Sequence, residues 1–349
     1  MKRKYAAILI IVVVVGTGSF LWNHFINPDP ASAELKQMVT DSASSTFSVK
    51  KWEEADRYSK KAIKFKEKDE LMSSGNEFAV TGVKLKAPYG IACLPEGILL
   101  ADHGENCLYL IDYSGNLVRK IGELGNGPNQ FQKPTGCTYH NGYYYVIDSG
   151  NKRIVILDRQ FNYTKELKLP KSERESEKEF TDIAINDKGD IYISGSYLYD
   201  SGLYRYNLEK DKFENVQKYF YGSLKEFGGE VYAVDQFRIY VDFEKKEITG
   251  GAGPNALWKL DGRNIKKLSN LPVGLNAGSF ELLRDNLIIC SPFYSTVMVF
   301  NMKDGKYISN IYEVDKMDYK TYASIYGSDL YITEPEKGKI LKISLEKLQ

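Results

Sequence analysis

The chain has 349 residues, a formal net charge of +1 at neutral pH and 43% apolar residues, which is typical of a globular protein rather than a disordered one. The near-neutral charge gives no general attraction to phosphate backbones, so nucleic acid is not an expected partner. The length suits one large all-β domain with a tail, or two ordinary domains.

The N-terminus carries a targeting signal. Three basic residues, 2–4, precede an uncharged run at residues 5–22 that is long enough, as a helix, to cross a hydrocarbon core. Basic residues ahead of a span remain in the cytoplasm, so the rest of the chain is expected outside. We therefore predict a single-pass anchor at residues 1–22. The alternative is secretion after cleavage near Ala33, although that A-x-A site lies far downstream of the apolar run.

Residues 23–76 are polar and are predicted to form a spacer. Within them, apolar residues recur at three- and four-residue steps, which indicates a weakly amphipathic helix. These apolar residues are Trp52, Ala55, Tyr58, Ala62 and Phe65. We expect this segment to hold the following domain away from the membrane, and binding of a partner by the helix is the alternative.

An internal repeat begins at residue 77. Short alternating apolar stretches are separated by Gly, Asp and Asn turns, and the second strand of each unit ends at intervals of about 40 to 56 residues. These ends are Asp102, Asp148, Gly195, Asp235, Ser291 and Thr333. A period of this size predicts propeller blades, and an insertion at residues 242–256 explains the longest interval. We thus predict an all-β, six-bladed β-propeller with four-stranded blades at residues 77–349. The segment 77–85 is expected to pair with the C-terminal strands near Ile343 and close the ring.

Motifs in the first two units carry a family resemblance. The second unit has Gly-Asn-Gly-Pro-Asn-Gln-Phe at 125–131, Pro-Thr-Gly at 134–136 and Tyr-Val-Ile-Asp-Ser-Gly-Asn-Lys-Arg-Ile at 145–154. The first unit keeps parts of the same pattern at 87–91 and 102–106, with Cys107 where an Arg is expected. The two units resemble NHL repeats. The resemblance implies a bacterial, extracytoplasmic propeller of the NHL or TolB-like type, in which each blade begins with its innermost strand.

That layout places two sets of loops on one side of the disc, here called the loop face: those joining second to third strands, and those joining each blade to the next. Loops on a rigid scaffold are where binding usually occurs. The candidate ligand-binding residues of the loop face are Asp102, His103, Asn106, Asp148, Asn151, Tyr197, Tyr199, Asp235, Phe293, Tyr294 and Glu334.

These candidates have structural alternatives. The loop aromatic rings offer rigid apolar area to a peptide or a sugar, but they could instead pack between blades. Asp148 with Asn151 and Arg153 is expected to cap a turn and form an ion pair rather than to bind a ligand. His103 could act as a general base, but no Ser or Cys with matching spacing lies nearby.

Few residues suit metal chemistry. The chain has three His and no C-x-x-C pair, so neither a structural zinc site nor a cofactor is expected. The four cysteines lie in apolar runs and are expected to be buried thiols, with a Cys93–Cys107 disulfide left open as the alternative. They are Cys93, Cys107, Cys137 and Cys290.

Two functions remain after these exclusions. The first is a non-catalytic binding or scaffold module for a peptide, glycan or partner protein outside the cell. The alternative is a metal-dependent hydrolase or lactonase, by resemblance to gluconolactonase-like propellers, with Asp102, Asp148 and Asp235 as the acids near the axis.

Overall fold

The computed structural model describes most of the chain downstream of residue 74 and one short segment before it. The described residues are 48–52, 75–171, 179–196, 202–218, 220, 222–235, 238–242, 247–251, 256–272, 275, 277–292, 294–314, 316–318 and 320–348. The predicted anchor at residues 1–22 lies outside them, as does most of the predicted spacer. Within the described residues, no helix is long and apolar enough to span a membrane.

Six four-stranded antiparallel sheets form the blades, which confirms the predicted six-bladed propeller. Blade 1 contains β3 (Pro88–Leu94), β4 (Gly97–Asp102), β5 (Cys107–Ile111) and β6 (Leu117–Ile121). Blade 2 contains β9 (Pro134–His140), β10 (Tyr143–Asp148), β11 (Arg153–Leu157) and β12 (Tyr163–Lys168). Blade 3 contains β13 (Glu179–Ile185), β14 (Ile191–Ser196), β15 (Gly202–Asn207) and β16 (Lys212–Lys218).

The second half continues the pattern. Blade 4 contains β17 (Gly222–Phe227), β18 (Glu230–Asp235), β21 (Ala256–Asp261) and β22 (Asn264–Asn270). Blade 5 contains β23 (Ser279–Leu283), β24 (Asn286–Ser291), β25 (Thr296–Asn301) and β26 (Tyr307–Glu313). Blade 6 contains β27 (Ala323–Tyr326), β28 (Asp329–Glu334) and β29 (Lys339–Ser344), followed by a single 3₁₀ turn at Glu346–Leu348. A short parallel pair, β7 (Glu123–Leu124) and β8 (Gln130–Phe131), lies between blades 1 and 2.

The fourth strand of blade 6 comes from the start of the domain. Strand β2 (Gly75–Glu77) pairs antiparallel with β29, with Asn76 opposite Lys342. Strand β2 therefore closes the ring. It overlaps the predicted closing segment, residues 77–85, only at Glu77, and it begins two residues before the predicted start of the propeller at residue 77. Closure by pairing removes the open sheet edge that blade 6 would otherwise present.

The core lies between consecutive blades. Strands β4 and β5 are buried along their whole length, because both faces of each central strand pack against a neighbouring sheet. One apolar cluster joins blades 1 and 2 through Leu99, Leu108, Val146 and Val155. Each such side chain contributes roughly 1.5–3 kcal/mol of burial free energy. The innermost strands contact one another in chain order around the axis, and β27 returns to β3.

The insertion in blade 4 is a hairpin and begins earlier than predicted. It consists of β19 (Arg238–Asp242) and β20 (Glu247–Gly251), between the second and third strands of the blade. Strand β1 (Ser48–Trp52) pairs parallel with β20. Trp52, predicted to start a helix, therefore ends a strand, because a long-range pairing outweighs the weak helical periodicity. The other residues of that predicted helix lie outside the described residues.

Candidate functional site

Asp102 occupies the end of β4, as predicted, but its carboxylate is fully buried. It accepts hydrogen bonds from the backbone N–H groups of Lys86 and Ala87, at 2.8 and 3.0 Å, in the segment leading into blade 1. It also accepts two at 3.0 Å from Gly104 and Glu105, in the turn that follows. Four backbone donors thus occupy this carboxylate, which joins two loops of the blade.

Asp148 has the corresponding position in blade 2 and is also fully buried. Its carboxylate accepts bonds from the N–H of Gln132 at 2.7 Å, the amide of Asn151 at 2.8 Å and Nε of Arg153 at 2.9 Å. Burial raises the pKa of Asp148, against the lowering effect of these three hydrogen bonds. The expected turn-cap arrangement of these residues agrees with the observed contacts.

Arg153 extends this network to the Gly-rich loop. Its guanidinium donates to the carbonyl oxygens of Gly127 and Gln130 at 2.8 and 2.9 Å, and to Glu166 at 2.8 Å. Burial opposes its charge, but the hydrogen bonds to Asp148 and Glu166 raise the pKa of Arg153. The Gly-rich loop is therefore held as part of the blade.

Other predicted residues are also committed to local structure. Asp235 accepts a bond from the N–H of Ala256 at 2.8 Å, which joins the two ends of the blade 4 insertion. Glu334 is 1% exposed and pairs with Lys337. Asn106 accepts a bond from the N–H of Lys133 at 2.8 Å.

Of the predicted aromatic residues, only one can be placed. Tyr294 is half-buried and packs against the apolar cluster of blades 4 and 5, and burial raises its pKa. Tyr197, Tyr199 and Phe293 lie outside the described residues. The structure therefore places only one ring of the predicted aromatic binding surface, and that ring packs against the core.

The predicted residue that does lie at an open site is His103. Its ring stacks on Tyr89 at a centroid distance of 4.3 Å and an interplanar angle of 10°. Tyr89 in turn stacks on Tyr322 of the segment before blade 6, at 5.9 Å. Burial lowers the pKa of His103 and raises that of Tyr89. Tyr89 therefore lies between the imidazole and Tyr322, and the stacked rings present a largely apolar surface here.

An ion pair crosses beside these rings. Nζ of Lys320 lies 2.8 Å from Oε2 of Glu179 and 5.2 Å from the centroid of Tyr89. Lys320 precedes blade 6 and Glu179 starts blade 3, so the pair joins opposite sides of a ring of six blades. Burial opposes the charge of Lys320, but Glu179 raises its pKa. We call these five residues the mouth cluster: Tyr89, His103, Glu179, Lys320 and Tyr322.

Below the mouth cluster, the innermost strands enclose an axial cavity of about 220 Å³. Four charged side chains of blades 3 to 5 line it: Asp182, Lys225, Glu226 and Glu281. Nζ of Lys225 lies 2.9 Å from Oε1 of Glu281 and donates to the carbonyl oxygen of Ala323 at 2.6 Å. Burial raises the pKa of Asp182 and of Glu281. Burial also opposes the charge of Lys225, but Glu281 and Asp182 raise its pKa.

Sequence reasoning missed this cavity. The available signal was the presence of charged residues inside three inner strands that otherwise carry apolar residues, namely Asp182 in β13, Lys225 and Glu226 in β17, and Glu281 in β23. The neighbouring thiols of Cys93 and Cys137 line the same cavity, and burial raises the pKa of both to about 12. All four cysteines are free thiols in the structure. Among the described residues, no three His, Cys, Asp or Glu side chains are grouped closely enough to hold a metal ion.

Comparison with known sequences supports the fold over part of the chain. The sequence profile of a family described as "6-bladed beta-propeller" (DUF5128) matches residues 82–232, which is less than half of the chain. Among curated proteins, no significant match is found.

Solved structures resemble the propeller at low sequence identity. A virginiamycin B lyase from Staphylococcus aureus has 16% identity and a TM-score of 0.53, over 78% of this chain and 99% of that one. A protein of Bacteroides fragilis described as exported has 12% identity and a TM-score of 0.55, over 81% and 98%. A structural-genomics protein assigned to the gluconolactonases has 10% identity and a TM-score of 0.53, over 78% and 92%. At such identities, these likenesses show the fold and leave the function open.

Proposed function

We propose that this chain is a membrane-anchored, extracytoplasmic propeller that binds a peptide, glycan or partner protein on its loop face, without catalysis. The observation that carries the proposal is the mouth cluster. There, residues from blade 1, blade 3 and the segment before blade 6 meet over the axis and, apart from the buried Tyr322, remain partly accessible. We further propose that the first two blades are NHL-type, from the motifs quoted above.

The mouth cluster has the chemistry of a recognition site. Tyr89 and His103 are half-buried, so part of the stacked pair is open to a flat or apolar ligand group. Lys320 is exposed, and its pairing with Glu179 offers both a donor and an acceptor beside the rings. Aromatic anchors with charged neighbours are the residues that most often dominate binding energy at interfaces.

The alternative, a metal-dependent hydrolase, receives less support from the contacts. Its three proposed acids, Asp102, Asp148 and Asp235, each accept backbone N–H bonds within their own blades. The lyase and the gluconolactonase-type protein that share the fold motivate the enzyme hypothesis only through that fold. No contact among the described residues favours it over binding.

The location of the domain is part of the same proposal. The basic residues 2–4 and the uncharged run 5–22 support a single membrane span with the propeller outside the cell, with secretion after cleavage near Ala33 as the alternative. Alkaline carbonate extraction of membranes checks this. An anchored chain stays with the membrane fraction, and a cleaved one is released.

The binding proposal is tested with the purified full-length chain on glycan and peptide arrays. Tyr89→Ala and Lys320→Ala are each expected to weaken binding to any recognised probe about tenfold, because an aromatic or charged anchor is lost. The matched control is Tyr143→Ala, since Tyr143 is 41% exposed at the opposite face. Binding that is lost in the control but retained in both loop-face variants would overturn the proposal, as would an array on which the folded chain recognises nothing.

A further inference from the structure

The axial cavity is lined unevenly. Its charged wall belongs to β13, β17 and β23 and contains Asp182, Lys225, Glu226 and Glu281. The opposite wall, from β27, β3 and β9, carries no charged side chain among the residues that line the cavity, and it combines polar groups such as Ser324 and Thr138 with apolar ones such as Ile91. Three carboxyl groups and one ammonium group thus lie on one wall of a space that can hold a small organic molecule.

The hydrogen bonds of the charged wall leave capacity for a ligand. Lys225 donates one hydrogen bond to the carbonyl oxygen of Ala323 and forms an ion pair with Glu281, whose Oε1 has no hydrogen-bond partner among the described residues. Asp182 accepts one backbone N–H bond on each oxygen, from Leu224 at 2.9 Å and Ile183 at 3.0 Å. Because each carboxylate oxygen can accept two bonds, both oxygens of Asp182 retain an acceptor position.

The balance of charge selects the kind of ligand. Taking charged groups out of water costs several kcal/mol each, and a buried ion pair is often no more stable than the apolar side chains that could replace it. Charged groups retained around a cavity are therefore candidates for function. Since the carboxyl groups outnumber the ammonium group, a cation would offset the excess negative charge. The acids are not grouped closely enough to surround a metal ion, which favours an organic cation.

We propose that the axial cavity binds a small organic molecule carrying a primary ammonium group, held by Glu281 and Asp182. The ammonium would donate hydrogen bonds to these two carboxylates, and the rest of the molecule would lie against Ser324 and Thr138. The cavity shares Tyr322 with the mouth cluster, but the proposal does not depend on the function proposed for the loop face.

Calorimetric titration of the full-length chain tests the proposal, with 1,4-diaminobutane as the probe and 1,4-butanediol as its neutral counterpart. The diamine is expected to bind at millimolar concentration or below, and the diol is not. Glu281→Gln removes one carboxylate with little change in volume and is expected to weaken diamine binding at least about tenfold. The matched control, Glu313→Gln, changes an exposed residue of outer strand β26 and is expected to leave binding unchanged.

Several results would overturn the proposal. These are absence of diamine binding to the folded wild-type chain, equal binding of the diol, or unchanged binding in Glu281→Gln. Calcium binding that Glu281→Gln abolishes, without diamine binding, would assign the cavity to a metal instead. If Glu281→Gln fails to fold, Glu226→Gln serves in its place, because Glu226 is exposed at the edge of the cavity. It is expected to weaken binding about threefold, and no change would count against the proposal.

Discussion

The sharpest test of the site assignment is the change Asp102→Asn. The Asp102 carboxylate accepts three backbone N–H bonds on Oδ1 and one, from Lys86, on Oδ2. An amide can keep the first three, but its NH₂ group would face the N–H of Lys86, and that donor would be left buried without an acceptor. The cost is about 1–3 kcal/mol. Asp102→Ala would leave all four backbone N–H donors without their acceptor. At about 1 kcal/mol or more for each donor, the total loss approaches the free energy of unfolding of the whole domain.

Thermal unfolding followed by circular dichroism measures the effect. A loss of about 2 kcal/mol lowers the Tm of a domain of this size by about 4–8 °C. The control is Asp112→Asn, because Asp112 accepts two turn N–H bonds at 2.9 Å but is exposed, so water can replace its contacts. We expect a clearly smaller shift in the control. Equal Tm shifts in the two variants, or an unchanged Tm for Asp102→Asn, would contradict the structural role of Asp102. Asp102 would then again be a candidate for ligand binding.

Three further outcomes are expected. Gly90→Ala should destabilise the ring by about 1–3 kcal/mol in denaturant titrations, since its Cβ would lie 2.0 Å from the carbonyl oxygen of Thr135 in the next blade. Gly127→Ala, whose Cβ would meet only the flexible Gln130 side chain, at 3.0 Å, should cost less, and the reverse order would contradict the blade packing. Burial raises the pKa of Cys137 and Cys290 to about 12, so thiol reagents at pH 8 should label these two buried residues only after unfolding, and rapid native labelling would refute their burial. Burial also raises the folded-state pKa of Glu281. Lys225 opposes this increase, and Asp182 and Glu226 add to it. Because the folded-state pKa is raised, ionisation of Glu281 destabilises the folded state as the pH rises. Relative to Glu281→Gln, the wild-type chain should therefore lose unfolding free energy as the pH rises above about 4, where a Glu in the unfolded chain ionises, and a relative gain would mean that the pKa is lowered instead.

Much of the fold could be predicted because its signals are local. Turns rich in Gly, Asp and Asn and the two-residue alternation mark each strand, and the spacing of six strand ends marks the blades. The closing strand was expected in the right region for a general reason, since a ring must complete its last sheet. Its three residues could not be fixed, because any short polar extended segment there would satisfy the pattern.

The candidate site was harder to predict because ring closure assembles it. Tyr89, Glu179 and Lys320 are far apart in sequence, and each alone is an ordinary strand or loop residue. Acids at strand ends, such as Asp102, have the same sequence pattern whether they bind a ligand or cap a turn. Only the positions of the backbone N–H groups distinguish the two. A charged residue in an inner strand, such as Lys225, likewise gives no sign in the sequence of whether it faces solvent or an enclosed cavity.

Hydrogen–deuterium exchange on the full-length chain tests the central claim, that ligands bind the loop face, most directly. The measurement compares the free chain with the chain saturated by a recognised array probe. We expect slower exchange in the peptides that contain Tyr89, His103 and Lys320, with no change in the opposite-face turns at residues 141–142, 187–189 and 228–229. Protection confined to those opposite-face turns would contradict it.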